Sequence, residues 1–475
     1  MGAFFRNFEQ ALINFGDAAW GTPLLVLILG GGIVFLVYSR FLPYLYLKHA
    51  VDLLRGRYDN KDDPGDLTHF QALSAALAAT IGMGNLSGVA VAISTGGPGA
   101  IFWMWVSALV GAATKFFTCT LAVMYRGRNA QGRLEGGPMY VIVEGLGPRF
   151  RPLAVFFAFA GIFACLPLFV SNQLTRVLNE ILLGPVLPGA NIADWKFNLL
   201  TGSALALVAA LVIFGGVQRI GRVSARLVPS MTIFYVLAVL YIFIDRRAQI
   251  PEFFHLILSD AFTGHAVAGG ALGTVILQGV RRAAFSNEAG IGTEALAHGA
   301  AKTKDPVREG LVAMLGPFID TLVVCTMTAS ALILTGAWKD APGDGISKTM
   351  AAFRLGLPTV GGFSLGQFVI ALIVLSFSLS TIFSYSYYGS KCLDFLLGGR
   401  LKNPGFVYKI FYVCSIVFGS VLSVKAAVGF VDGCMALMAI PTMTSTLLLA
   451  PRVMAAAREY FAALPSGKKD PRKKD

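Results

Sequence analysis

The chain has 475 residues, 55% of them hydrophobic and 14% charged, with a mean hydropathy of +0.67. Water-soluble domains do not have this composition, so much of the apolar material must face lipid. The formal charge of +13 would suit a nucleic-acid partner only if it were gathered on one folded face; it is spread over loops, and no nucleic-acid partner is expected. Cys119, Cys165, Cys325, Cys392, Cys414 and Cys434 are scattered through mostly apolar runs without metal-ligand or CxxC spacing, as small buried hydrophobes would be.

A hydrocarbon core of about 30 Å needs roughly 20 apolar residues per helix. In chain order, eleven segments meet that need: 22–39, 70–95, 98–124, 152–183, 196–217, 223–244, 265–298, 307–336, 359–397, 405–424 and 427–450. No strand-like alternation competes with them. The N-terminus lacks a basic stretch followed by a short apolar core and a cleavage site, so the first span is read as the insertion signal and not as a removed leader.

Loops between successive spans alternate sides, and most of the 39 Lys and Arg fall on one set. They run from Arg40, Lys48, Arg55, Arg57 and Lys61, through Arg126, Arg128, Arg133, Arg149 and Arg151, to Arg219, Arg222 and Arg226. The set continues with Arg281, Arg282, Lys302, Lys304 and Arg308, then Lys391, Arg400, Lys402 and Lys409, and ends in the tail from Arg452 to Lys474. Positive charge marks the cytoplasmic side, which predicts a multi-pass protein of the plasma (inner) membrane with its N-terminus outside and its C-terminus inside. The basic tail, 451–475, is read as a topology signal in contact with anionic lipid.

Two spans have sequences that an uninterrupted helix would not choose. The second contains Thr80-Ile-Gly82-Met-Gly84-Asn85-Leu-Ser87-Gly88, and the seventh contains Gly269-Gly270-Ala-Leu-Gly273-Thr274. Gly costs up to about 1 kcal/mol per residue inside a helix and Asn prefers turns, so both helices are expected to break there. Unwound backbone at membrane depth is tolerated only beside protein or a water-filled cavity, where freed N–H groups can hold a carboxylate and freed carbonyls a cation. Small-residue packing faces of the Gly84-x-x-x-Gly88 kind are the competing reading. Setting the first helix aside leaves two sets of five, each led by an interrupted span. The expected organisation is an all-α polytopic membrane protein: an extra helix and cytoplasmic linker (1–67), a five-helix repeat (68–245), a second, inverted repeat (246–450) and the tail.

The stretch from Arg57 to Tyr125 closely resembles the alanine/glycine:cation (sodium) symporters. So do Gly136-Gly-Pro-Met-Tyr140, Phe285-Ser-Asn-Glu-Ala-Gly-Ile-Gly292, Ala297-His298 through Lys302-Thr303, Asp305-Pro-Val-Arg308 and Phe318-Ile-Asp320-Thr-Leu. The likeness covers about 57 to 400. It implies a LeuT-like core of 5+5 inverted repeats, preceded here by one extra helix, and sodium-coupled uptake of small neutral amino acids. The family's Gly-Thr-Gly-Asn turn reads Gly82-Met83-Gly84-Asn85 here. The resemblance then places the substrate carboxylate on the N–H groups of Met83 and Gly84, with Asn85 bracing the turn. Its polar pair on the fourth helix is matched by Asn172 and Gln173, which would accept from the substrate ammonium. Thr274 and Leu277 are further substrate-binding candidates. The carbonyls of Ala78, Ile81 and Phe377 with the hydroxyls of Ser380 and Thr381 are the expected sodium ligands. Tyr385 stands where the family often has Trp, and Met83 replaces the turn's Thr; both are bulky and favour glycine and alanine over larger substrates. The run Leu277-Gln278-Gly-Val-Arg281-Arg282 also shifts one positive charge along its helix relative to the family.

Sodium is a hard cation that prefers oxygen ligands, which fits carbonyls and hydroxyls contributed by two helices. Ser and Thr in spans also commonly bond their own backbone, which is the plainer role for Ser380 and Thr381. Charged groups inside a membrane must pair or line water, so Lys115 or Arg282 is expected to pair with Asp320 or Glu288 as a structural or gating link. Proton coupling through Asp320 or Glu288 on the same fold is the alternative mechanism. Gly362-Phe-Ser364-Leu-Gly366 matches the GxSxG pattern of serine hydrolases, but it opens a membrane helix, so no enzyme activity is expected. No organic cofactor is implied, and the sequence fixes no oligomeric state.

Overall fold

The computed structural model describes residues 2–60, 62–129, 132–183, 195–215, 217–263, 272–343, 345–360, 363–398, 400–401 and 403–464. Among these, eight helices are individually long and apolar enough to cross a membrane; two sharply bent helix pairs raise the number to ten when each is taken as one span. In chain order the helices are α1 (Gly2–Ala19), α2 (Thr22–Tyr38), α3 (His69–Thr80), α4 (Gly84–Gly96), α5 (Ala100–Met124), α6 (Pro148–Ile181), α7 (Trp195–Ile213) and α8 (Val217–Asp245). There follow α9 (Ile250–Thr263), α10 (Leu272–Asn287), α11 (Glu294–His298), α12 (Pro306–Leu334), α13 (Leu365–Leu397), α14 (Pro404–Val421) and α15 (Val424–Ala462). Short helices and two hairpins, Gly127–Arg128 with Leu134–Glu135 and Thr359–Val360 with Phe363–Ser364, connect them.

Burial sorts these helices into a centre and a rim. The apolar window of α5 is 89% buried, whereas those of α7 and α8 are only 28% buried, so α5 lies inside the bundle and α7 and α8 line its edge. The exposed side chains on that edge include Leu200, Leu207, Leu211, Ile233 and Leu237. A continuous exposed face of this kind is stable only against hydrocarbon.

The expected first span, 22–39, begins earlier than its sequence suggested: the chain is helical from Gly2, and α1 meets α2 at a 48° bend. Close packing on α15 holds α1 in place, since a β-carbon on Gly16 would strike the Gly429 backbone and one on Gly433 would strike Phe15. Small residues let the two backbones approach, as is usual where lipid supplies no hydrophobic drive.

The second span is interrupted as expected. Thr68 and Gln71 form a reciprocal capping box that starts α3, and α3 and α4 are bent by 51° across Ile81–Met83. The seventh segment is described only from Leu272 onward. Gly269, Gly270 and Ala271 lie outside the described residues, and the chain is helical from Leu272 through Gly273 and Thr274 to Asn287. Among the described residues an interruption comes after that, between α10 and α11, where Glu288, Gly290 and Gly292 have φ of 58°, 85° and 98°. Left-handed residues cannot continue a right-handed helix, and two of the three are the glycines that adopt this conformation without steric cost.

Candidate functional site

The break after α3 begins with a diverted hydrogen bond. In a continuous helix the Gly82 N–H would bond the Ala78 carbonyl; here it donates to Asn85 Oδ1 at 2.9 Å, and the Asn85 N–H returns to the Gly82 carbonyl at 3.2 Å. Ile81 is extended, with φ −73° and ψ 94°. The carbonyl end of α3 and the N–H end of α4 therefore face each other in the middle of the bundle, one carrying partial negative and the other partial positive charge.

Against this break lies α13. A β-carbon at Gly82 would collide with the Thr381 hydroxyl and would sit 3.7 Å from the Phe377 carbonyl, so only glycine lets the backbone come this close. Ser380 Oγ and Thr381 Oγ1 both donate to the Phe377 carbonyl, at 2.8 and 3.1 Å. This is the ordinary back-bonding of hydroxyls in a helix, and it spends their protons while leaving oxygen lone pairs available to a cation.

A small cavity opens beside the break. Met83, Gly84 and Tyr385, three of the expected substrate residues, line it together with Thr381. Sequence reasoning did not select the rest of the lining: Ala79, Thr80, Gly82, Leu166, Phe169, Val170, Phe285 and Val431. Phe169 and Phe285 meet edge-on, 5.7 Å between centroids, and Arg282 lies over the Phe285 ring. Phe285 opens the quoted motif Phe285–Gly292, and Phe169 lies one turn before Asn172, so both were within reach of the same reading.

The other expected substrate residues sit elsewhere. Asn172 Nδ2 donates to the Gly419 and Leu422 carbonyls, at 3.2 and 2.6 Å, and Asn172 Oδ1 accepts from Gln173 Nε2 at 3.0 Å. Gln173 Oε1 accepts from Ser87 Oγ at 3.0 Å and from the Ile346 N–H at 3.4 Å. Thr274 and Leu277 lie half-buried in the first two turns of α10 and do not line the cavity. Asn85 acts behind the break: its Nδ2 donates to Asp320 Oδ1 at 2.6 Å and to Ser286 Oγ at 3.1 Å.

The expected pairing of Lys115 or Arg282 with Asp320 or Glu288 is replaced by other contacts. Arg282 bonds Asp432 on α15, which also takes Arg281 Nε at 3.0 Å, and Arg281 reaches Asp17 on α1 at 3.1 Å. Both arginines had been counted among loop residues; they lie inside α10, neutralised by a carboxylate 150 residues further along the chain. Lys391, also counted to a loop, lies inside α13 and pairs with Glu135. Asp320 Oδ2 accepts from Ser286 at 2.6 Å and from Thr321 at 3.0 Å, and Glu288 accepts from Tyr385 and Thr293. Hydroxyls and amides therefore hold these carboxylates. Lys115 is buried against Gly316 and makes no direct ion pair among the described residues.

Ser364 is the N-cap of α13, its Oγ accepting from the Gln367 N–H at 3.4 Å, a structural role that accounts for it without a nucleophile. Away from the break, the segments that flank the two interrupted spans are joined. The Asp66 and Leu67 N–H groups donate to the Ala300 carbonyl, and the Lys302 N–H donates to the Leu67 carbonyl. Arg126 reaches the carbonyls of Pro64, Gly299, Ala301 and Thr303. Glu309 of α12 contacts Nδ1 of both His69 and His298.

Comparison with known proteins follows the same lines. The sequence pattern described as the sodium:alanine symporter family matches residues 6–475. The sodium/alanine symporter AgcS of Methanococcus maripaludis is 38% identical over 460 residues, covering 96% of this chain and 97% of that one. A Bacillus subtilis relative named "Probable sodium/glutamine symporter GlnT" is 34% identical over 452 residues, covering 95% and 90%. Among solved structures, MhsT in complex with L-phenylalanine superposes with a TM-score of 0.56 at 12% identity, over 83% of this chain and 99% of that one, a likeness of fold alone and that of the LeuT-like transporters. Helices that expose apolar faces, a span broken at mid-bundle and a match along nearly the whole sequence agree: the chain is a multi-pass membrane protein that belongs to the sodium:alanine symporter family.

Proposed function

We propose that this chain imports small neutral amino acids, alanine and glycine, together with sodium, by alternating access across the plasma (inner) membrane, with its N-terminus outside and its C-terminus inside. The observation that carries the reading is the break at Ile81–Met83 pressed against Phe377 and Thr381. Sodium binds between the carbonyls of Ala78, Ile81 and Phe377 and the hydroxyls of Ser380 and Thr381. The substrate carboxylate binds the N–H groups of Met83 and Gly84 on the other side of the same turn. One ion bound at Ile81–Gly82 thereby orders the backbone that grips the substrate, and by reciprocity the substrate tightens sodium binding to the same degree. Bulk at Met83, Phe169, Phe285 and Tyr385 supports a preference for the smallest side chains, although the relative GlnT bears a glutamine name.

Uptake of labelled alanine and glycine into proteoliposomes, with an inward sodium gradient or a pH gradient alone, tests this. Sodium-driven accumulation is expected. Accumulation driven by the pH gradient alone would refute sodium coupling and transfer the role to Asp320 or Glu288.

A further inference from the structure

The site leaves one half of a zwitterion without a side-chain partner. A carboxylate at the N–H end of α4 puts the ammonium toward the carbonyl end of α3. Asn172 and Gln173 do not line this cavity, and Gln173 Oε1 already accepts two protein hydrogen bonds. Thr80, the last residue of α3, lines the cavity and is only 5% exposed. Its Oγ1 is buried and has no hydrogen-bond partner among the described residues, and no other cavity-lining side chain shares that condition.

Thr175 and Thr232 also leave a buried hydroxyl unpartnered, but of the three only Thr80 lines the cavity, and most helical threonines behave differently. Thr95, Thr114, Thr120, Thr328, Thr335 and Thr446 each donate to the carbonyl four residues back. Thr80 does not bond the Ala76 carbonyl. A buried hydroxyl left unpaired carries a real desolvation cost, so something in the working protein is expected to meet it. The neighbouring helix end is the negative one, which selects a cationic donor.

We propose that Thr80 is a substrate-binding residue whose hydroxyl oxygen accepts a hydrogen bond from the amino acid's ammonium group. This rests on the reading of the cavity given under Proposed function and deepens it. The break then recognises both charges of the substrate: N–H groups at Met83 and Gly84 for the carboxylate, Thr80 and the carbonyl end of α3 for the ammonium.

The test compares wild type with Thr80→Val, which keeps the shape and loses the hydroxyl, and Thr80→Ser, which restores it. Labelled alanine binding is measured at saturating sodium on purified protein, and labelled sodium binding is measured without amino acid. Loss of a hydrogen bond to a charged group predicts alanine affinity about 10- to 100-fold weaker in Thr80→Val, recovery to within about 3-fold in Thr80→Ser, and sodium binding unchanged in both. Competition sharpens the assignment: alaninamide, which keeps the ammonium, should lose potency in Thr80→Val, and propionate, which lacks it, should not. Alanine affinity in Thr80→Val equal to wild type overturns the proposal. Weaker sodium binding in the absence of amino acid also overturns it, by making Thr80 an ion ligand. Should Thr80→Val not yield folded protein, Thr80→Ala is read against Thr80→Ser in the same assays. Failure of wild type to show sodium-driven alanine or glycine uptake would refute the underlying function instead, independently of any variant.

Discussion

Asn85→Ala should disable the broken turn, and the size of the effect follows from what the side chain holds. Its Oδ1 takes the Gly82 N–H at 2.9 Å, and its Nδ2 donates to Asp320 Oδ1 at 2.6 Å. Both partners are buried. Ser286 and Thr321 still serve Asp320 Oδ2, so the substitution orphans one N–H and one carboxylate oxygen. At about 1–3 kcal/mol for each buried group left unpaired, the total is about 2–6 kcal/mol. If the cost falls on the binding-competent turn, the lower bound already weakens alanine binding about 30-fold. The assay is equilibrium binding of labelled alanine to purified protein at saturating sodium, with the melting temperature recorded in parallel. Affinity within about 3-fold of wild type together with an unchanged melting temperature would refute the bracing role. Asn85→Asp keeps an acceptor for Gly82 but sets a carboxylate against Asp320; it too should bind poorly, which shows that the amide's donor matters as well as its acceptor.

Other variants probe the remaining parts. Combining Ser380→Ala with Thr381→Val should raise the sodium concentration for half-maximal alanine uptake about 10-fold or more, and an unmoved sodium curve would remove α13 from the ion site. Arg282→Gln strips a partner from buried Asp432, a loss worth about 3–5 kcal/mol when complete and less here because Arg281 remains. It should lower the melting temperature far more than Arg57→Gln, whose pair with Asp52 leaves the arginine 59% exposed and is worth about 0–1 kcal/mol; equal melting temperatures would contradict this. Tyr385→Ala should admit larger neutral amino acids as competitors of alanine uptake, while Tyr385→Phe should leave the size limit in place; a selectivity profile unchanged in both would mean that Tyr385 does not bound the pocket.

The first break was legible because its signal is local: Gly82, Gly84 and Asn85 are poor helix formers set close together. The break after α10 was not anticipated, for an instructive reason. Glycine density pointed to 269–274, yet Gly273 sits comfortably within α10, and what ends that helix is the spacing Glu288-Ala-Gly290-Ile-Gly292, where alternate residues adopt left-handed backbone. Position within the motif mattered more than glycine count. Charge pairing was the least legible part. Asp432 and Glu135 come to their basic partners only through tertiary packing, and loop counting therefore assigned Arg281, Arg282 and Lys391 to the wrong surroundings. Met83, Gly84, Tyr385 and Thr381 were named and do share a cavity. Thr80 was named only as part of the interrupted run and not as a ligand, because a threonine that declines its own backbone looks like any other threonine in a sequence.

The stitching between residues 64–69 and 298–303 has a mechanical consequence. Main-chain hydrogen bonds, the Arg126 clasp and a carboxylate shared by two imidazoles tie α3, α11 and α12 together at one end. Separating one of these helices from the others would break several such links at once, whereas tilting them as a block past α13 breaks none. If these helices move as one block, spin-label distances from α3 to α11 should hold constant through a transport cycle in which those from α3 to α13 change.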